Sequence, residues 1–273
     1  MRNVFLDKLY NQMEIDKNIF FLTADMGINL VERFEEKYPD RFLNVGIAEQ
    51  NLIGVASGLA ESGKRPFVYT ISNFLIHRCF EQIRNDIVLH NLPVVLVGTS
   101  TGYDNGALGP THHMLEDWGV ISNLPKIKIY APKNKLSAEN IFLKVLQDSS
   151  PSYVRIPKGD GVKDSDLQIN LSNTDNVVIS YGSASRFGLQ YARNNGMPLI
   201  LLEELGRESF YSLDQYVSHF KTITVVEDHF PNTGMYSFAC QWANSRNLKV
   251  DIISISPTDY EMSVGLEFSD FLN

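Results

Sequence analysis

Short apolar runs alternate with amphipathic, helix-like segments through most of this chain of 273 residues. Strands that alternate with helices pair into a parallel sheet, and the helices cover both of its faces. In the first part of the sequence, the pattern predicts strands at 19–23, 67–70, 94–97, 127–130 and 153–155, and helices at 2–13, 30–38, 48–61, 74–89 and 136–147. We therefore expect an α/β fold built on a doubly wound parallel sheet.

A polar stretch interrupts this pattern at 158–176, with the sequence KGDGVKDSDLQINLSNTDN. Its glycine, aspartate, serine and asparagine residues are typical of a linker. The apolar runs restart at 177–180, 199–202, 223–226 and 250–253. The sequence thus predicts two doubly wound α/β domains, at 1–160 and 175–273, of which the second is smaller.

Charge and composition narrow the classes of partner. The net charge is −8, and an acidic protein repels phosphate backbones, so we expect no nucleic-acid partner. The sequence contains no stretch of about 18 apolar residues, so we expect no membrane-spanning helix. Its two cysteines are far apart and do not form the pattern of a disulfide framework, which favours a cytoplasmic protein.

Ligands of open parallel sheets bind beyond the carboxyl ends of the strands. We expect that edge to carry Asp25, Ser72, Asn73 and the loops that follow Val97 and Arg155. The chain has neither a GxGxxG segment after a strand nor a phosphate-binding GxxxxGK segment. Nothing therefore indicates a self-contained nucleotide site.

A single acidic residue lies among small and apolar neighbours in NVGIAEQN, residues 44–51. This residue, Glu49, is expected at the start of the helix 48–61, where the positive end of the helix dipole favours a carboxylate. Taken alone, the position is typical of a helix-capping glutamate.

The same segment resembles the glutamate motif of the thiamine-diphosphate enzymes of the transketolase group. This group contains transketolases, 1-deoxyxylulose-5-phosphate synthases and the β subunits of 2-oxo acid dehydrogenase E1 components. In the family, the glutamate hydrogen-bonds the aminopyrimidine ring of the cofactor and promotes removal of the C2 proton of the thiazolium. The resemblance implies that Glu49 is catalytic and binds thiamine diphosphate, whose own chemistry the protein tunes.

The residues ADM at 24–26 resemble the Ala-Asp-Leu turn that ends the first strand in this family. The resemblance implies that Asp25 lies near the cofactor. It also implies that the apolar side chain of Met26 holds the cofactor in its bent conformation. Without the resemblance, Asp25 is a turn or helix-capping residue.

The residues SNFL at 72–75 resemble the Ser-Thr-Phe-Leu stretch of the family, whose aromatic ring stacks on the pyrimidine. The resemblance implies that Phe74 binds the cofactor, and that Phe80 or His77 shares the pocket. Without it, aromatic residues at helical spacing are core residues.

A glycine-rich loop, GYDNGALGPTHH at 102–113, ends in two histidines, which titrate near neutral pH. It resembles the Gly-Pro-Thr-His loop over the substrate channel of the family. The resemblance implies that His112 binds the donor sugar or relays protons. His113 stands where transketolases often have glutamine, and we expect it at the substrate. A solvent-facing histidine pair is the alternative interpretation.

The residues VRIPKG at 154–159 resemble the Val-Arg-Tyr-Pro-Arg-Gly stretch of the deoxyxylulose synthases, in which a basic residue grips the substrate phosphate. Lys158 stands in its place and offers a point charge instead of a bidentate fork. Arg2 resembles another phosphate-binding arginine of transketolases, and without the resemblance it is a solvated arginine near the chain terminus. These residues imply a sugar or sugar phosphate substrate.

Two positions depart from the transketolase pattern. Ser100 stands where a histidine is usual, and Leu108 replaces the aspartate that contacts the donor hydroxyl. Asp104 is a nearby substitute for that aspartate, although its spacing differs. Loss of a polar partner to a substrate hydroxyl changes discrimination strongly. We therefore expect a modified sugar, such as one made for a surface polysaccharide.

The metal-binding motif of the family is missing from this sequence. Family members bind the diphosphate through Mg²⁺ with a Gly-Asp-Gly motif and a later asparagine on a separate N-terminal domain. Gly159-Asp160-Gly161 lies in the predicted linker, without that asparagine, so we expect no metal ligands in this chain.

The resemblance thus implies the β-type subunit of a split, thiamine-diphosphate-dependent transketolase, with a partner subunit that supplies the Mg²⁺ ligands in an α2β2 assembly. The alternatives are an E1 β subunit of a 2-oxo acid dehydrogenase-type decarboxylase and a non-catalytic partner module of the same fold. The residues VEDH at 226–229 resemble part of the last domain of the family, and we expect a structural role for His229.

Overall fold

The computed structural model describes residues 1–167, 175–206, 220–260 and 262. The strands of the first sheet are β1 (Ile19–Thr23), β2 (Phe42–Asn44), β3 (Arg65–Ile71), β4 (Val95–Thr99), β5 (Lys128–Tyr130) and β6 (Ser152–Ile156). They lie in the order β2-β1-β3-β4-β6-β5, and all neighbours are parallel.

Helices connect these strands. They are α1 (Arg2–Ile15), α2 (Glu32–Lys37), α3 (Glu49–Glu61), α4 (Ser72–Ile76), α5 (Phe80–Gln82), α6 (Asp117–Ile121) and α7 (Lys135–Gln147). The short α5 continues into a π-helical segment, Ile83–Val88. Parallel strands with helical crossovers bury both faces of the sheet, which explains the strongly apolar runs of the sequence.

Alternate residues of the central strands point to two different cores. Phe21 and Phe67 face a core that includes α1 and α7, where the rings of Phe5 and Phe142 meet edge to face at 5.2 Å. Their neighbours along the strands, such as Leu22, face the opposite core. This period of two is what a doubly covered sheet requires.

The second sheet contains β7 (Asn176–Tyr181), β8 (Leu199–Leu202), β9 (Thr222–Val226) and β10 (Asp251–Ile255), in the parallel order β10-β9-β7-β8. Two described helices accompany it, α8 (Ser185–Asn195) and α9 (Met235–Ser245). Helix α8 ends at Gly196, whose φ of +62° is the left-handed conformation that glycine adopts without strain. The predicted α/β class with two parallel sheets is confirmed.

One apolar core joins the two sheets. It extends from Leu52 and Ile53 of α3 to Tyr181 of β7. At the junction, the indole of Trp118 stacks on Phe238 and meets the ring of Tyr181 edge to face, each at 5.0 Å. The domain limits 1–160 and 175–273 stay a prediction, and the segment 263–273 lies outside the described residues.

The predicted elements differ from the structure at β2, at α6 and in the region 74–89. The edge strand β2 was not predicted, because it has only three residues and two of them are exposed, so it shows no apolar run. The single helix predicted at 74–89 is divided into α4, α5 and the π-helical segment.

The two cysteines, Cys79 and Cys240, are free thiols. Burial, together with the nearby Glu49 carboxylate, raises the pKa of the Cys79 thiol to about 12, so it stays protonated at neutral pH. In the part of the chain that the structure describes, no helix has both the length and the apolar character needed to cross a membrane.

Candidate active site

Most of the candidate residues lie at the carboxyl edge of the first sheet. Because β1, β3, β4 and β6 are parallel, their carboxyl ends lie at one edge. Asp25 follows β1, Phe74 lies in α4 directly after β3, the loop 102–113 follows β4, and Lys158 follows β6. Glu49, the first residue of α3, follows β2 after a short connection.

Glu49 is a buried carboxylate at the N-terminus of a helix. Its side chain is only 3% exposed, and it is the one acidic residue in the first turn of α3. The guanidinium of Arg78 donates a hydrogen bond from Nη1 to Oε2 of Glu49 at 2.6 Å. A buried carboxylate requires such a partner, and here a cation and the helix N-terminus both stabilise it.

Arg78 brings Glu49 together with an aromatic ring. Its guanidinium carbon lies 4.6 Å from the centroid of the half-buried Phe74 ring. On its other side, Phe74 meets the imidazole of His112 edge to face, with centroids 5.3 Å apart. The structure thus assembles Glu49, Phe74 and His112 into one group, from segments that are well separated in sequence.

Asn73 holds the histidine loop against this group. Its Nδ2 donates hydrogen bonds to the carbonyl oxygens of His113 at 2.7 Å and of Thr111 at 3.1 Å. The Oγ1 of Thr111 lies 2.9 Å from Nδ1 of His112 and so orients this half-buried imidazole. His113 is buried, and its ring contacts that of Tyr103 at 5.0 Å.

Lys158 and Asp104 bind each other. The backbone amide of Lys158 donates to Oδ2 of Asp104 at 2.6 Å, and its ammonium donates to the carbonyl of Asp104 at 3.1 Å and to Oδ1 of Asn105. Burial raises the pKa of Asp104 to about 6, against the opposing effect of the Lys158 amide. Asp104 therefore fastens Lys158 to the loop, while Leu108 is exposed.

The turn after β1 is connected to the start of α3. Oδ1 of Asn44 accepts hydrogen bonds from the amides of Asp25 at 2.9 Å and of Gly46 at 3.1 Å. Asp25 is exposed and has a φ of +43°. The half-buried Met26 packs on the core beneath the turn.

The other candidate residues lie in different surroundings. Phe80 packs against the apolar core of α3, and exposed His77 faces Glu116, with 3.7 Å between Nε2 and Oε2. Arg2 begins α1 and contacts Asn3. In the described contacts, no hydrogen bond, ion pair or ring contact joins these three to the group of Glu49, Phe74 and His112.

Ser100, at the position that usually carries a histidine, has a strained backbone conformation. Ser100 follows β4, is buried and has a φ of +61°, a left-handed conformation that is uncommon for a residue other than glycine. Its small side chain fits this tight departure from the sheet.

Sequence reasoning missed Arg78 and the positioning role of Asn73. Arg78 lies four residues after Phe74, a spacing that places two helical side chains on one face. That signal indicated contact with Phe74, but the partner Glu49 is 29 residues away and was visible only in the structure.

Among the described residues, no group of three or more His, Cys, Asp or Glu side chains is placed to hold a metal ion. Asp160 of the Gly-Asp-Gly segment is exposed and pairs with Lys135 at 2.9 Å. Gly161 bridges to Asn134.

A parallel α/β sheet with a buried glutamate and an aromatic group at its carboxyl edge has the architecture of the transketolase-like proteins. Residues 1–162 match the family described as transketolase, pyrimidine binding domain. The chain belongs to this family. The predicted family resemblance is confirmed.

Curated relatives match the chain over more than half of its length. The 6-deoxy-6-sulfo-D-fructose transketolase subunit SqwH of Clostridium sp. (strain MSTE9) is 32% identical over 164 residues, which are 60% of this chain and 51% of that protein. The 1-deoxy-D-xylulose-5-phosphate synthase of Tropheryma whipplei (strain Twist) is 36% identical over 187 residues, which are 67% of this chain and 29% of that protein. The chain thus spans about half of the first relative and under a third of the second.

A solved structure shares the whole fold. It is described as a split gene transketolase, inactive beta4 tetramer, and matches with a TM-score of 0.81 at 24% identity. The match covers 99% of this chain and 92% of that one. Both parallel sheets therefore belong to the shared fold.

Proposed function

We propose that this chain is the β-type subunit of a split transketolase that uses thiamine diphosphate to transfer a two-carbon ketol unit between sugars. The observation that carries the proposal is the buried carboxylate of Glu49 at the N-terminus of α3, grouped with Phe74 and His112. A catalytically inert module has no need for a buried carboxylate at this position, which costs free energy unless it is paired.

The chemistry of this group fits the pyrimidine end of the cofactor. Glu49 offers a hydrogen-bonding carboxylate shielded from water, and Phe74 offers a half-exposed aromatic face. When bound, the cofactor supplies the carbanion chemistry. In this proposal Glu49 exchanges a proton with a ring nitrogen and Phe74 stacks on the ring. Asp25 and Met26 lie beside the ring, with Phe80 or His77 at the margin of the pocket.

The substrate residues lie in and beside the glycine-rich loop. We propose that His112 transfers a proton at a sugar hydroxyl and that His113 supports it. An ammonium has three donors, and Lys158 uses two of them on Asp104 and Asn105, so one is left for a phosphate or another anionic group. Arg2 is a second candidate for that anion.

Leu108 removes a polar contact to an ordinary sugar donor, which favours a modified sugar. The relative SqwH is named as a 6-deoxy-6-sulfo-D-fructose transketolase subunit, and this name of a modified sugar supports such a substrate.

A partner subunit is part of the proposal. The described residues provide no metal-binding group, so we propose that an N-terminal-type subunit binds the diphosphate and Mg²⁺ in an α2β2 assembly. Ile28 and Ile47, at the same rim, are 82% and 78% exposed, and a partner would cover them. One relative is named as a subunit and the matched structure as a split-gene protein, which also supports a divided enzyme.

The test is exchange of the C2 proton of thiamine diphosphate bound to the assembled complex. We expect Glu49→Gln to slow exchange by at least about 10²-fold, because it removes the proton-exchanging carboxylate. Glu61→Gln, at the exposed end of the same helix, is the matched control and is expected to leave exchange unchanged. A normal exchange rate in Glu49→Gln contradicts the proposal.

A further inference from the structure

A cluster of charged and polar side chains is buried where the two sheets meet. Its members come from both halves of the chain and are at most 7% exposed: Asp117, Arg155, Ser183, Asp228 and His229. We call them the buried polar cluster. Ser183 follows β7 and Asp228 follows β9, so adjacent parallel strands present both at the carboxyl edge of the second sheet.

Groups of opposite charge meet in the cluster. Nε of Arg155 donates to Oδ2 of Asp117 at 2.9 Å, and its Nη2 lies 3.3 Å from Oδ1 of Asp228. His229 pairs with Asp117 and lies 3.3 Å from Asp228. Two carboxylates thus face one guanidinium and one imidazole. Removal of one member of such a set leaves the others buried and uncompensated.

The cluster reaches the base of the glycine-rich loop. Nη2 of Arg155 donates to the carbonyl of Met114 at 3.1 Å, and Oγ1 of Thr101 lies 3.3 Å from Oγ of Ser183. Gly102 and Met114 exchange two backbone hydrogen bonds, of 3.0 and 2.9 Å, which close the loop.

Asp228 packs directly on Gly102. A Cβ at Gly102 would lie 1.9 Å from Oδ2 of Asp228, and Gly102 has a φ of +56°. Only glycine fits both this contact and this conformation. Just beyond, the amide of Phe230 donates to the carbonyl of Leu115 at 3.2 Å. The second sheet therefore holds both ends of the loop.

We infer that Asp228 and Ser183 are positioning residues, through which the second sheet fixes the base of the loop that carries His112. Asn73 of α4 binds the carbonyl groups on either side of His112, so contacts from both parts of the chain position the imidazole. The consequence for turnover rests on the proposed function, whereas the effect on the loop does not. The second sheet thus contributes to the site without touching a substrate.

Hydrogen exchange of the full chain tests this inference, with Asp228→Asn as the variant. Asparagine keeps the size of the side chain but removes the charge that Arg155 and His229 face. We expect the segment 101–115 to exchange at least about tenfold faster, since loss of a charged hydrogen-bond partner opens the structure locally.

Glu227→Gln is the matched control. Glu227 is the preceding residue and equally buried. It accepts hydrogen bonds from the amides of Met235 and Tyr236 at the start of α9 and from the Tyr181 hydroxyl, and its described hydrogen bonds do not reach the loop. We expect it to speed exchange at 235–245 and to leave the loop unchanged. Unchanged loop exchange in Asp228→Asn, or equal acceleration of loop and α9 in both variants, overturns the inference.

Turnover of the assembled complex separates the two proposals. We expect Asp228→Asn to lower kcat by about tenfold or more with less than about a twofold change in the Kd of thiamine diphosphate. Faster loop exchange in a protein whose wild type transfers no ketol unit supports the positioning role and contradicts the proposed function. If Asp228→Asn does not fold, Ser183→Ala is judged by the same exchange criterion.

Discussion

At the scale of single residues, Arg78 occupies both Glu49 and Phe74 in the candidate site. One guanidinium binds the carboxylate and covers the Phe74 ring, the two groups that the proposed function assigns to the pyrimidine. A pyrimidine that reaches both must displace Arg78.

We therefore expect Arg78→Ala to bind thiamine diphosphate more tightly in the assembled complex. Partly exposed ion pairs contribute about 0.2–1 kcal/mol, which corresponds to a gain of about 1.4- to 5-fold. Titration calorimetry of the complex measures the effect, with Arg84→Ala as the control, because Arg84 in the described part of the chain binds only the neighbouring Asn85. Weaker binding shows instead that Arg78 is part of the cofactor site.

His112 is expected to act on the substrate and not on the cofactor. His112→Ala should lower kcat by about 10²–10⁴-fold, the usual effect of one positioned acid–base group, with little change in cofactor affinity. Steady-state kinetics and calorimetry of the same complex provide the two measurements. His90→Ala, outside the loop, is the control. Near-normal kcat in His112→Ala shows that the loop has another role.

The residues predicted from sequence differ in how well local patterns located them. Glu49, Phe74 and His112 are grouped because each follows a parallel strand, and the sheet brings such positions together. Asp104 and Lys158 instead bind each other, a pairing across 54 residues that no local pattern contains. Sequence patterns report the face and end of an element, whereas side-chain partners depend on tertiary packing.

At the scale of elements, strands of both sheets followed from apolar runs, because a doubly covered parallel strand is apolar on both faces. The edge strand β2 lacks this signal, since its outer side is exposed. The short α6 was also not predicted. Its buried residues include Asp117 beside Trp118, and a buried charge breaks the apolar pattern on which sequence reasoning depends.

The ion pair of Asp117 in α6 and His229 after β9 makes the stability of the fold depend on pH. Burial and Arg155 lower the pKa of His229, but Asp117 and Asp228 outweigh them and raise it to about 9. When the pH rises above the ordinary histidine pKa of about 6.5, His229 keeps its proton in the folded protein but loses it in the unfolded chain. Stability from this pair is therefore complete below that value and is lost as the pH rises through about 9.

We expect the free energy of unfolding of the wild type to decrease as the pH is raised from about 7 to about 8.5, by up to about 1.4 kcal/mol per pH unit. The urea midpoint decreases with it. His229→Gln removes this titrating group and should reduce the slope, although it lowers stability at every pH. Burial raises the pKa of Glu227 to about 7, so this carboxyl keeps part of the slope near pH 7 in both proteins. Denaturation at both pH values measures the slope. Equal slopes in the two proteins show that His229 does not bind a proton on folding.

At the scale of the whole molecule, the proposed function gives the described residues only half of a cofactor site. In that proposal, Glu49, Phe74 and Met26 at the carboxyl edge of the first sheet bind the pyrimidine end, and exposed Ile28 and Ile47 lie on the same rim. The diphosphate carries most of the charge of the cofactor, and Mg²⁺ is usually bound by carboxylates together with phosphates. The described part of the chain provides no such group of ligands.

The isolated chain should therefore bind thiamine diphosphate poorly. Each loss of about 1.4 kcal/mol weakens binding tenfold, so loss of the metal and diphosphate contacts should weaken it by at least about 100-fold relative to the assembled complex. Calorimetry of the chain alone, with cofactor and Mg²⁺, is compared with the same titration after addition of an N-terminal-type subunit. Glu49→Gln in the complex controls for binding through the pyrimidine end. Tight, metal-dependent, stoichiometric binding by the chain alone shows that no second subunit is needed and contradicts the split assembly.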